Sequence, residues 1–287
     1  MKKEFAKPPL TRRRGGAGPI PSYFWTNTTP ALGATPPLLR RGLHFYVLSF
    51  VVLLTLVLSN WNIIAQSPAS TPRKVLFIGD SFTYTQGGIY THFEKLAAAA
   101  TPALVVSTDK AVAGGAYLKR LWELQEPVRQ IDTGTFDVVV LQDDVPETNP
   151  DYFRQYARMF VNEVRKNNGR PVLFMAWAYP RLGWISMPQI AELHRSLAKE
   201  LNVDVAPVGL AWQQASKQRP DLNMYADDRE HPSIYGMYLA TCVVFATVYG
   251  KNPTGFRYVP TGVSSEQAEF LQKIAWQTVD DYRAGRL

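Results

Sequence analysis

Cysteine is nearly absent from this chain. Cys242 is the only one among 287 residues, which excludes an intrachain disulfide. Histidine is almost as scarce: His44, His92, His194 and His231 are the whole supply, so any search for an imidazole base is short. Net charge is missing from most of the molecule. Lys2, Lys3, Lys7, Arg12, Arg13, Arg14, Arg40 and Arg41, set against Glu4, account for the entire +7, and everything after residue 44 balances to zero. A nucleic-acid binder concentrates basic residues on a folded face, so no nucleic-acid partner is expected. Internal repeats are lacking, and nothing marks a second folded domain.

What is present divides the chain. Residues 1–44 combine those basic residues with Pro8, Pro9, Pro19, Pro21, Pro30, Pro36 and Pro37 and read as a disordered tail. Residues 45–65, FYVLSFVVLLTLVLSNWNIIA, carry no charge and show no polar face. About 20 helical residues span a bilayer core, so the expectation is a transmembrane signal anchor with the lipid bilayer as its partner. Arg40 and Arg41 just before it place the tail in the cytoplasm and the remainder outside. Cleavage near residue 65 with secretion is the alternative, and a buried soluble helix is a third. Residues 66–73 read as a linker and 74–287 as one catalytic-sized domain; the oligomeric state is left open.

Within 74–287, short apolar runs alternate with helix-like stretches. The runs are VLFI (75–78), ALVVS (103–107), VVVL (138–141), VLFMAWA (172–178) and VDVAPV (203–208). Helices are expected over 88–100, 117–130, 151–167, 187–200, 233–248 and 264–283. That alternation predicts a parallel sheet covered by crossover helices.

The first run ends in Gly79, Asp80 and Ser81, where an open α/β sheet gathers functional groups. A serine hydroxyl needs a base to become a nucleophile. His44 precedes the apolar segment, while His92 and His194 fall inside expected helices as ordinary packed or solvated residues. His231, in ADDREHPSIYG, follows a polar loop with Asp228 three residues before it. A loop-borne Asp-x-x-His can turn the carboxylate onto one ring nitrogen and leave the other facing the serine. Donors for an oxyanion are the Ser81 amide, a glycine of AVAGGAYL (Gly114 or Gly115), and the carboxamide of Gln142 at the end of the third run. A plain turn and a solvated glutamine remain open for the last two.

Together, Gly79-Asp80-Ser81, Gly114, Gln142 and Asp228-x-x-His231 resemble the SGNH, or GDSL-type, serine hydrolases, over residues 73–250. The resemblance implies a flavodoxin-like three-layer α/β/α sandwich with a central parallel sheet of about five strands, here preceded by one transmembrane helix. It implies hydrolysis of acyl esters through an acyl-enzyme, without cofactor or metal. Ser81 would be nucleophile and oxyanion donor, Gly114 the second donor, His231 the base and Asp228 its orienter. The third block departs from the family's Gly-x-Asn-Asp: it reads LQDD and looks more like the Gln-Gly-Glu segment of carbohydrate acetyl-esterases, with Gln142 as donor and Asp143 where that segment has glycine. The expected substrate is therefore a short-chain acyl ester, an O-acetyl group on a small molecule or saccharide.

Other classes stay open. An O-acyltransferase would use the same serine. Asp80, Asp143, Asp144, Asp227, Asp228 and His231 could serve a metal-dependent phosphoesterase. A non-catalytic glycan-binding module is the third. The absence of a G-x-S-x-G elbow disfavours the other lipase architecture, and no G-K-[ST] follows Gly79 to make a phosphate loop. Trp177 and Tyr179, in WAYPR, are candidates for the crevice or for the core.

Overall fold

The segment KVLFIG has no polar residue after Lys74 and forms β1 (Lys74–Gly79), buried on both faces from Val75 onward. The computed structural model describes residues 71–287. VVVLQ forms β3 (Val138–Gln142), also buried throughout. With β2 (Ser107–Val112), β4 (Arg170–Phe174) and β5 (Asp204–Ala206), these make one parallel sheet in the order β2-β1-β3-β4-β5. Apolar β-branched runs without alternation suit strands covered on both sides, and this order is the flavodoxin-like one.

Helices cover each face. On one side lie α2 (Ile89–Ala98), α7 (Val208–Gln218), α8 (Ile234–Tyr249) and α9 (Ser265–Arg283), whose apolar residues join Val75, Phe77, Val138 and Val140. On the other lie α3 (Leu118–Glu123), α4 (Glu126–Thr133), α5 (Pro150–Lys166) and α6 (Met187–Leu201), packed on Leu76, Ile78, Val139 and Leu141. A single turn, α1 (Ser81–Tyr84), follows β1 directly. The helix ends follow local chemistry: the Asn149 side chain accepts from the Asp151 and Tyr152 amides ahead of Pro150 in α5, and Ser264 and Gln267 form a capping box on α9. Helix α8 is apolar all round and ends on Gly250 at φ 62, the left-handed conformation glycine adopts without penalty.

Four expectations are corrected here. The apolar run 103–107 is not the second strand; β2 is STDKAV, and Val105 is 86% exposed. At the sheet edge a strand needs little apolar surface. The helix expected over 117–130 breaks into α3 and α4, with Gln125 at φ 61 and Pro127 in the first turn of α4. Helix α7 was not anticipated, because its start was absorbed into the run 203–208.

The fourth concerns the membrane. The anchor expected over residues 45–65 lies outside the described residues, and among the described residues no helix is long and apolar enough to cross a membrane. The most apolar, α8, would reach about 24 Å against the roughly 30 Å required, and its side chains are spent on the core. The preceding transmembrane helix is withdrawn from the fold, and with it the bilayer partner and the membrane-anchored placement.

Candidate active site

Sheet order reverses direction between β1 and β3, and the carboxyl ends of these two strands bound a crevice. Ser81 opens α1 at that point. The corner carrying it is held from below: Asp80 N–H donates to Gln142 Oε1 at 2.7 Å, Phe82 N–H to Asp80 Oδ1 at 2.8 Å, and Thr83 Oγ1 to Gln142 Oε1 at 3.0 Å. Gly79 must lack a side chain, because a Cβ there would come within 2.3 Å of Gln142 Oε1.

His231 arrives from the opposite rim, on the loop between α7 and α8. Its Nε2 lies 2.8 Å from Ser81 Oγ, and its Nδ1 lies 2.8 Å from Asp228 Oδ2. Because an ionised carboxylate only accepts, Nδ1 carries the proton and Nε2 accepts from the serine hydroxyl. Asp228 Oδ1 also accepts from the Glu230 and His231 amides, both at 2.9 Å, curling the loop while Arg229 takes φ 60. Burial pushes the Asp228 carboxyl up, but those two amides and the imidazole outweigh it and leave it below the usual carboxylate range. The loop is tied down as well: Trp177 Nε1 donates to Glu230 O at 3.0 Å and Tyr225 OH to Ala178 O at 2.8 Å.

Gly114 follows β2, where Ala113 N–H donates to Gly79 O at 3.2 Å, so its turn lies beside the serine corner. A Cβ at 114 would sit 2.9 Å from the Tyr84 hydroxyl. Gln142 is placed differently from the expectation. Its oxygen must face the Asp80 N–H, since the reverse orientation would oppose two donors, and its Nε2 is sealed from solvent with no acceptor among the described residues. It is a post under the corner; its amide is not open to the crevice.

Trp177 and Tyr179 are each 1% exposed. Trp177 stacks on Trp212 at 3.9 Å and 14° and lies 4.7 Å from Phe82, while Phe82 meets His231 edge-on at 5.7 Å. These rings are the floor under the serine and the imidazole. His92 and His194 are packed residues as expected: His92 Nε2 donates to Gln86 O, and His194 Nδ1 donates to Ile190 O.

Arg181 was not among the expected site residues, and Asp80, Asp143 and Asp144 were expected only as candidate metal ligands. Arg181 pairs with both Glu147 and Glu230, linking three loops around the crevice. Asp80, Asp143 and Asp144 form a buried acidic group, pushed up to about 6, about 7 and about 8, in each case chiefly by burial. Asp143 is satisfied by Leu118 N–H and the Thr148 hydroxyl, and Asp144 by the Tyr179 hydroxyl. Among the described residues, no three His, Cys, Asp or Glu side chains are arranged to hold a metal ion. The metal-site alternative therefore lacks a ligand cage.

No family model matches the chain, and no curated protein matches it. Solved structures do. A DUF4886 family protein from Bacteroides uniformis superposes with a TM-score of 0.60 at 18% identity, over 72% of this chain and 94% of its own. A putative SGNH hydrolase from Slackia heliotrinireducens gives 0.51 at 22%, over 61% and 98%. A variant of an acetyl-xylooligosaccharide esterase from Geobacillus gives 0.50 at 20%, over 66% and 97%. At these identities the likeness is one of architecture: the parallel α/β core of this chain is shared with solved structures that include a putative SGNH hydrolase.

Proposed function

We propose that this chain hydrolyses short-chain acyl esters, O-acetyl groups on saccharides in particular, through an acyl-enzyme on Ser81. One observation carries the reading: Ser81 Oγ, the His231 ring and Asp228 form a continuous hydrogen-bonded chain, 2.8 Å at each link. In the first half-reaction His231 Nε2 takes the serine proton as Oγ bonds to the ester carbonyl carbon. Asp228 holds the ring in its tautomer and favours the imidazolium. The imidazolium then protonates the departing alcohol, leaving Ser81 acylated. In the second half-reaction His231 deprotonates a water that attacks the acyl carbon, and the proton returns to Ser81 as the acid leaves. The Ser81 N–H, in the first turn of α1 where no carbonyl four residues back can accept it, and the Gly114 N–H are the backbone donors to the oxyanion.

Two features support a small neutral acyl group. The aromatic floor of Phe82, Trp177 and Tyr179 is filled, leaving no slot for a long chain beneath Ser81. A surface groove of about 610 Å³ along the β1–β2 side, lined by Lys74, Tyr90 and Phe136, shares no residue with the serine corner. The carboxylates of Glu147 and Glu230, which already share Arg181, disfavour an anionic substrate. The saccharide preference draws on the resemblance of the third block and on the acetyl-xylooligosaccharide esterase among the structural neighbours.

The test is to treat the protein with a fluorophosphonate, map the modified residue by mass spectrometry, and assay p-nitrophenyl esters of increasing chain length. Labelling of Ser81 with acetate as the preferred acyl group is expected. An unlabelled Ser81, or turnover that survives Ser81→Ala, overturns the reading.

A further inference from the structure

With Gln142 turned under the serine corner, the crevice holds another side chain able to donate. Val138 and Val140 of β3 face the core shared with Phe77 and Phe82, while Val139 and Leu141 face the opposite core with Leu118. This alternation runs on past the strand. Asp143 turns to the second side, meeting Leu118 N–H at 2.9 Å, and Asp144 to the first, where Tyr179 OH stands 3.2 and 3.3 Å from its two oxygens. Gln142 shares the face of Asp144 and already reaches the Asp80 amide. The strand ends at Gln142 and Asp144 opens the turn beyond it, its carbonyl accepting from the Glu147 and Thr148 amides at 3.0 and 2.8 Å. Its carboxyl lies close enough to Asp80, the residue before Ser81, to feel its charge. Tyr179, its partner, meets Phe82 at 5.8 Å, and Phe82 meets His231 at 5.7 Å, so Asp144 and the imidazole stand on one aromatic floor.

The surroundings leave the Asp144 carboxyl without a counter-charge. Asp80 faces it from the end of β1, Tyr117 from ahead of α3, Asp143 and Glu147 from its own loop, and Tyr179 from the loop after β4. Beyond Asp80 lie His231 and Glu230, and Arg181 is held by Glu147 and Glu230. Burial first, then Asp80 and Glu147, push the carboxyl up to about 8, against a partial offset from the Tyr179 hydrogen bond. At neutral pH the group carries its proton, and a protonated carboxyl has an O–H to give.

We propose that Asp144, as a neutral carboxylic acid, donates a hydrogen bond to the oxyanion formed when Ser81 attacks, serving as the third donor beside the Ser81 and Gly114 amides. The proposal rests on the acyl-serine reading above. The proton stays on Asp144 throughout, and the bond strengthens as the carbonyl oxygen gains charge. Ionisation would set a negative carboxylate against a negative oxygen, so the donor becomes an inhibitor as pH rises.

The experiment is kcat for p-nitrophenyl acetate from about pH 6 to about pH 10, corrected for spontaneous hydrolysis, on the full chain and two variants. The wild type should lose activity about tenfold or more on passing from below to well above the Asp144 pKa. Asp144→Asn keeps a donor and cannot ionise; it should recover to within about tenfold of wild type near pH 7 and lose the alkaline decline. Asp144→Ala should fall about 100-fold or more. A wild-type profile that stays flat to high pH, an Asp144→Asn profile that keeps the decline, or an Asp144→Asn loss as deep as that of alanine each overturns the proposal. If the alanine variant does not fold, the wild-type and asparagine profiles decide alone. Fluorophosphonate labelling run in parallel separates the two readings: an unlabelled wild type sinks the acyl-serine mechanism, while labelling with a flat profile sinks only the role of Asp144.

Discussion

Ser81 and His231 meet from two differently built regions. The serine corner is part of the sheet: Asp80 is 1% exposed, Gln142 braces it from the neighbouring strand, and the chain turns into α1 within one residue. The imidazole sits on a loop of polar residues, with Asp228 half exposed, and its position depends on hydrogen bonds that tie the loop to Trp177 and to the Ala178 carbonyl. Side chains on rigid elements are placed by the fold, whereas side chains on loops are placed by whatever pins the loop. The difference predicts that the corner will tolerate little change and that the loop will fail by degrees.

The sharpest break is Ser81→Ala, which should remove roughly 10⁴-fold or more of kcat while leaving the melting temperature near that of wild type; residual turnover of one-tenth would end the comparison. On the loop side, Asp228→Asn should cost about 10²- to 10⁴-fold in kcat with KM little changed, because the ring loses its tautomer while the pocket stays. A smaller effect is expected from Trp177→Phe, which keeps an aromatic ring in the stack and deletes the bond to Glu230 O. A loosened base should lower kcat up to about 100-fold, with about 1 kcal/mol lost in urea unfolding. A loss of stability with kcat and the Ser81 labelling rate unchanged would show that the tie supports the core and not the base.

A fourth outcome concerns pH and stability. A carboxyl raised in the folded state from 3.8 to about 8 binds its proton more tightly there than in the unfolded chain. The stability it confers is present below the unfolded value and is lost as pH climbs through the folded one. Asp144→Asn removes that loss, so the melting temperature of the variant minus that of wild type should grow steadily between about pH 5 and about pH 9. A difference independent of pH would mean that Asp144 is already ionised in the fold. The smallest effect belongs to the exposed Val105, where Val105→Ser should stay within about 0.5 kcal/mol by thermal melting.

Much of the central sheet was readable because β1 and β3 are buried on both faces and announce themselves as unbroken apolar runs. β2 was not, since an edge strand can be polar, and an apolar run beside it drew the assignment instead. The Asp228–His231 pair was legible because a three-residue spacing fixes its geometry locally, and the scarcity of histidine left few rivals. Gln142 was misread because a strand-end carboxamide can turn either way, and the choice depends on an amide 62 residues earlier in the chain. Arg181 was missed, and Asp144 was read only as a candidate metal ligand, for the same reason: their meaning comes from partners on other loops. Only the continued alternation through LQDD could have singled out Asp144, by setting it on the serine side and Asp143 on the other.

The polar second strand has a consequence beyond the crevice. One flank of STDKAV is hydrogen-bonded to β1, and Asp109 and Lys110 stand along it, while the far end of the sheet closes with only three residues of β5. Backbone groups left unpaired at such borders invite a foreign strand to dock and a fibre to grow. Charge at one border and brevity at the other make this sheet a poor seed for either.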